Sequence, residues 1–250
     1  MYKRQVSGTP LNDRKREFDE RMADFDRKFR ELPLNAPADS LYADYNKLVP
    51  ESIEANLDNL FGAYLFSVYE FDGNDIAAAK TRLKQFPAAV QAHPILQRIA
   101  EKVAATENTE IGKPYMDLTL PDAAGEPVAL SGIVGKGRWV LLDFWATWCA
   151  PCCREIPHLR EAYAACKSKG LEIYGVSLDN DAAKWRTFVA DNDMPWINVL
   201  GVNADKRSDA AAMYGISSIP ANFLISPKGI IVARDLRGEN IKARLEEAMR

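Results

Sequence analysis

The apolar positions of this chain follow two different periods, and the change between them falls near residue 110. Over residues 11–32, Phe18, Met22, Phe25, Phe29 and Leu32 step by four, three, four and three, which lines one face of an amphipathic helix among charged neighbours. Leu34-Asn35-Ala36-Pro37 ends that pattern. A second helical block is expected over about 50–69, with Pro50 near its first turn. Phe71-Asp72-Gly73-Asn74-Asp75 reads as a turn in which Asn74 or Asp75 caps the next helix. Residues 76–85 and 87–105 read as a helical hairpin, its second arm kinked or divided by Pro94. Residues 106–113 are polar and read as a linker. Beyond them, short apolar runs suited to strands fall at 139–144, 171–178, 196–200, 222–225 and 230–234. Helical patterns separate or follow them at 151–169, 182–191, 208–214 and 239–249, and Ser226-Pro227-Lys228-Gly229 reads as a hairpin turn. Such alternation predicts an α/β sheet with helices on both faces, preceded by a smaller helical domain. The boundary is expected at 110/111.

Composition narrows this little. The 250 residues are 47% hydrophobic and 10% aromatic, ample for one large core or two small ones. A net charge of −3 gives no basic footprint for nucleic acid. No apolar run approaches the roughly 18 residues of a transmembrane helix. Residues 1–10 carry two basic side chains but no apolar stretch, so no signal peptide is read there. Four cysteines, three of them clustered, do not form a structural disulfide framework.

The cluster carries the chemistry. Cys149 and Cys152 stand at C-x-x-C spacing within Trp-Ala-Thr-Trp-Cys-Ala-Pro-Cys-Cys-Arg-Glu-Ile-Pro, directly after the apolar run 139–144. Pro151 suits the first turn of the following helix, where its missing N–H costs nothing. Cys149 then sits at the helix N-terminus, where free N–H groups and the dipole favour a thiolate. Cys152 lies close enough to bridge it, so the pair can cycle between dithiol and disulfide. Asp143 falls on the buried strand with no cation near it in sequence, which should raise its pKa. Cys166 shares a helix face with Cys152, Ile156, Leu159 and Tyr163 and reads as a core thiol. Cys153 turns away from Cys152 by one helical step and is assigned no role. Neither is His93 or His158.

Together these residues resemble the thioredoxin-fold oxidoreductases, most closely the TlpA/ResA-type thiol–disulfide oxidoreductases of bacterial envelopes. The resemblance spans about residues 112–250. Asp143, Trp145, Trp148, Cys149, Cys152, Glu155 and Pro157 match in order, and Gly215-Ile216-Ser217-Ser218-Ile219-Pro220 resembles the family's cis-proline loop. Residues 114–131 are similar to the extra N-terminal hairpin of the TlpA type. The resemblance implies a thioredoxin-like fold in which Cys149 attacks a substrate disulfide, Cys152 resolves the mixed disulfide and Asp143 accepts the Cys152 proton. It implies Glu155 as a second acid, a cis bond before Pro220, and a substrate platform of Trp148, Ala150, Pro151, Ile219 and Pro220. No cofactor beyond the redox-active disulfide is implied. The expected partners are protein thiols and disulfides and an upstream electron donor, in the cell envelope or periplasm, with reduction as the favoured direction. An envelope location without a visible leader leads us to expect a mature or truncated chain.

Two other functions share this fold. A peroxidase of the peroxiredoxin type needs threonine three residues and proline seven residues before its cysteine, where this chain has Ala146 and Leu142. A copper-binding module could use the C-x-x-x-C of Cys149 and Cys153, with His158 the only histidine in the C-terminal region.

Overall fold

The computed structural model describes residues 9–33, 35–73, 75–203, 205 and 207–250. Leu34 and Asn74, expected in a helix break and as a possible cap, lie outside them. The chain divides after Val103 into two compact units.

The first unit is helical. Helix α1 (Pro10–Glu31) is capped by Thr9, whose side chain accepts the Asn12 N–H, and has its proline in the first turn. Of its apolar face, Phe18 is buried against Phe61 and Tyr69, while Phe25 and Phe29 meet Tyr42 and Tyr45 nearer the surface. The second helical block differs from expectation. Helix α2 (Asp39–Glu54) starts well before Pro50 and carries that proline inside it. Pro50 cannot donate to residue 46, but burial of Leu48, Val49 and Ile53 around it holds the helix together. The block is then interrupted, and Asn59 caps α3 (Leu60–Leu65) by accepting from the Phe61 and Gly62 N–H groups. A five-residue π-helical turn, Phe66–Glu70, follows. Asp75 caps α4 (Ile76–Gln85), accepting the Ala78 N–H at 2.8 Å. Pro94 divides the second arm into α5 (Ala88–Gln91) and α6 (Pro94–Asn108). Helix α6 runs into the expected linker, because Thr106 to Asn108 continue its hydrogen bonding.

The second unit opens with a short hairpin, β1 (Thr119–Pro121) and β2 (Pro127–Ala129), followed by β3 (Trp139–Trp145), α7 (Ala150–Cys166), β4 (Leu171–Ser177), α8 (Ala182–Asp191) and β5 (Ile197–Leu200). Then come α9 (Asp209–Met213), β6 (Ala221–Ile225), β7 (Ile231–Arg234) and α10 (Asn240–Ala248). The main sheet has the order β5-β4-β3-β6-β7. Strands β3, β4 and β5 run parallel, joined by helical crossovers, whereas β6 runs antiparallel to both of its neighbours, β3 and β7. The period-2 alternation of β3 sends Val140, Leu142 and Phe144 into the core on one face and Leu141 and Trp145 into the core under α7 and α10. Asp143 shares the parity of Leu141 and Trp145. Alternation therefore aims this carboxyl at the face that α7 covers. The segment before β1 closes part of the β7 edge: Gly112 N–H donates to Ile231 O, and Ile231 N–H to Lys113 O.

Candidate active site

Helix α7 starts where β3 ends, so the strand delivers its first residues to the sheet's carboxyl edge. Cys149 is the N-cap of α7. Its Sγ accepts the Cys152 N–H at 3.2 Å, the place an Asp or Ser side chain commonly takes. Cys149 and Cys152 are joined in a disulfide. Both are nearly buried, whereas Trp148 beside them is 64% exposed. The Ile219–Pro220 peptide is cis, and Ile219 O lies 3.7 Å from Cys149 Sγ. Trp148, Cys149, Ala150, Pro151 and Ile219, with Leu178 and Ile216, line an apolar groove of about 630 Å³. The structure thus brings the expected substrate platform onto one wall. Pro220 borders it through Ile219.

Behind the cysteines, Asp143 is buried on β3. Burial pushes its carboxyl pKa up to about 7 and Glu155 adds to the rise, while Arg237 and a hydrogen bond with Asn222 oppose it. Sequence neighbours offer Asp143 no cation; the fold supplies one, Arg237. Asn222 faces Asp143 across the β3–β6 ladder. Glu155, expected as a second acid, lies on α7 three residues after Cys152. It is half-buried, and its Oε2 accepts the Gly238 N–H at 2.7 Å.

Asp179 carries no motif in the sequence, yet it belongs to the site. This buried carboxylate accepts the Thr147 N–H at 3.0 Å, the Thr147 hydroxyl at 2.6 Å and the Ser177 hydroxyl at 2.7 Å. It ties the turn before Cys149 to the end of β4. An Asp after a buried strand is the one signal that could have pointed to it, and it is a weak one. Cys153 Sγ sits 3.5 Å from Thr147 O, and burial, with Asp179 nearby, pushes its thiol up. Cys166 is fully buried in the core. His93 Nδ1 accepts the Ile95 N–H at 3.3 Å in the first turn of α6. Among the described residues no cluster of three or more His, Cys, Asp or Glu side chains could hold a metal, and no helix is long and apolar enough to cross a membrane.

A cysteine pair at a helix N-terminus, with a buried carboxyl of near-neutral pKa behind it, can exchange disulfides and move the accompanying proton. The chain is similar to proteins named for that chemistry. The AhpC/TSA family matches residues 111–234. Thiol-disulfide oxidoreductase ResA from Bacillus thuringiensis subsp. konkukian is 34% identical over 144 residues, covering 58% of this chain and 79% of that protein. ResA from Bacillus subtilis is 33% identical over 129 residues, covering 52% and 69%. Among solved structures, the thioredoxin domain of a thiol-disulfide oxidoreductase from Bacteroides vulgatus has 34% identity and a TM-score of 0.53, over 56% of this chain and 99% of that domain. The C-terminal domain of a putative thiol-disulfide oxidoreductase from Bacteroides thetaiotaomicron has 34% identity and a TM-score of 0.51, over 57% and 97%.

Proposed function

This chain belongs to the ResA-type thiol–disulfide oxidoreductases, and we propose that it reduces protein disulfides with the Cys149–Cys152 pair, in a bacterial cell envelope or periplasm and without a further cofactor. The Cys149 thiolate attacks one sulfur of a substrate disulfide. A mixed disulfide forms, and one substrate sulfur leaves as a thiolate. Cys152 then passes its proton to the Asp143 carboxylate and attacks Cys149 Sγ. The Cys149–Cys152 bond forms, and the second substrate sulfur leaves as a thiolate. The substrate has gained two electrons, which an upstream dithiol donor must return to the pair.

One observation carries this reading. The sulfur of Cys149 lies both at the α7 N-cap and beside Ile219 O, so nucleophile and substrate-pairing backbone meet at a single point. Trp148 and the apolar groove suit a substrate cysteine flanked by apolar residues. Glu155, through Gly238, holds the segment behind Asp143 in place. The test is trapping. A Cys152→Ala variant should accumulate substrate proteins as mixed disulfides on Cys149, identified by mass spectrometry and absent from a Cys149→Ala, Cys152→Ala control. No captured protein would overturn the reading. The direction is measured separately: the reduced protein should cleave a protein disulfide faster than the oxidised protein introduces one into a reduced, unfolded chain.

A further inference from the structure

The segment that follows β7 touches three parts of the redox centre that are far apart in sequence. The Asn222 side chain accepts the Leu236 N–H at 2.8 Å and donates to Leu236 O at 2.9 Å. The Asp235 N–H donates to Asn222 O. Gly238 N–H donates to Glu155 on α7. Between Leu236 and Gly238, Arg237 donates through Nη1 to Leu236 O at 2.7 Å and through Nη2 to the carbonyl of Pro220. Its other acidic neighbour is Asp235, whose Oδ1 lies 3.6 Å from Nη2 and which is half-exposed.

We propose that Arg237 is a positioning residue of the redox centre: its guanidinium braces the cis-proline loop at the Pro220 carbonyl and presents positive charge to the buried Asp143. The inference rests on the reductase reading only for what Asp143 does, not for where Arg237 sits. A guanidinium has several donors in a fixed fork. One face can hold the loop carbonyl while the charge acts on the carboxyl behind it. Among the described residues, Glu155 from α7, Asn222 from β6 and Arg237 from the segment after β7 act on the Asp143 carboxyl. On the β4 side its ladder partner is Gly175, which has no side chain to contribute. Arg237 is thus the positive member of a set in which burial and Glu155 favour the protonated acid, and it opposes them together with the Asn222 hydrogen bond. The consequence is that Asp143 stays able to ionise close to neutral pH, where it can take the Cys152 proton.

The charge is tested directly by a carbon-13 NMR titration of the Asp143 carboxyl in the oxidised, full-length protein. In Arg237→Gln the midpoint should move up by about 1 pH unit, the lower end of the effect of one nearby opposite charge. Arg237→Lys, which keeps the charge, should stay within a few tenths of the parent, and it covers the case in which the glutamine variant folds poorly. An unmoved midpoint in Arg237→Gln, or the same shift in Arg237→Lys, would overturn the proposal. The functional consequence is read by stopped-flow release of thiol from the mixed disulfide across pH. Arg237→Gln should shift that profile in step with the carboxyl midpoint, whereas a merely structural role would lower the rate equally at every pH. A shifted midpoint with an unshifted release profile would leave Arg237 as assigned and refute the acid–base role of Asp143.

Discussion

Asp143 occupies a strand position that alternation alone would give to a leucine. On the α7 side its neighbours in β3 are Leu141 and Trp145, both nearly without solvent contact. A carboxyl there is more easily kept neutral than charged, hence a pKa near 7 against an unfolded value of 3.8. The folded pKa lies above the unfolded one, so the stability is fully present below about pH 4 and is lost as pH rises towards 7. A shift of this size corresponds to roughly 4 kcal/mol, at about 1.4 kcal/mol per unit. Asp143→Asn should therefore stabilise the oxidised protein by a margin that grows between about pH 4 and pH 7 and is level above. Denaturant midpoints across that range measure it, and a pH-independent difference would contradict burial of the carboxyl as its origin. The same variant should slow the second exchange step near neutral pH. The two cysteines should separate as well. Single-cysteine variants should alkylate at lower pH through Cys149, which takes a helix-terminal N–H, than through the apolar-packed Cys152. Coincident profiles would remove the distinction. Residue type and spacing marked Asp143 and the cysteine pair. They could not mark Arg237 or Asn222, because those meet Asp143 only through the β3–β6 ladder and the turn beyond β7.

For helices and strands, what the sequence makes legible depends on how regular the hydrophobic period is. Strands β3 and β4 are buried along nearly their whole length and are readable as apolar runs, and α7 announces itself by the proline in its first turn. Helix α2 was not readable from its beginning. Proline is usually a start signal, and here the packing of Leu48, Val49 and Ile53 outweighs it. The turn between β3 and α7 is likewise set by a tertiary contact, the three hydrogen bonds that Asp179 accepts. Asp179→Ala would leave the Thr147 N–H and two hydroxyls without that acceptor, and we expect it to cost on the order of 3 kcal/mol. Because Thr147 leads directly into the nucleophile, the variant should also slow attack by Cys149 in single-turnover assays. A loss of stability with an unchanged attack rate would limit Asp179 to holding the fold. On β4, Gly175 admits a different test. A Cβ there would stand 3.2 Å from Asn198 Oδ1 and 3.3 Å from Trp145 Nε1. Gly175→Ala should destabilise by about 1–3 kcal/mol through overpacking, and an unchanged thermal midpoint would show that these side chains yield freely.

Over the full length of the chain, the two units each own a core. One gathers Phe18, Ile53, Phe61, Leu65 and Leu96; the other has its two layers on either side of the main sheet. The cysteine pair, Asp143, Glu155, Pro220 and Arg237 all lie after Val103, and the family match begins at residue 111. The change of period near residue 110 falls close to this division, whereas the helical unit offers no motif from which a task could be read. Separate cores lead us to expect separate energetics. Ile53 is wholly buried in the helical unit, and Ile53→Ala should cost about 2–5 kcal/mol there, as large-to-small core changes do. By calorimetry the full-length variant should show its helical transition lowered and the transition of residues 104–250 in place. Its rate of disulfide reduction, measured at a temperature where the parent's two units are folded, should match the parent even once the variant's helical unit has begun to melt. A rate that falls in step with that melting would show that the redox unit depends on the helical one, and the functional boundary would then have to be drawn around the whole chain.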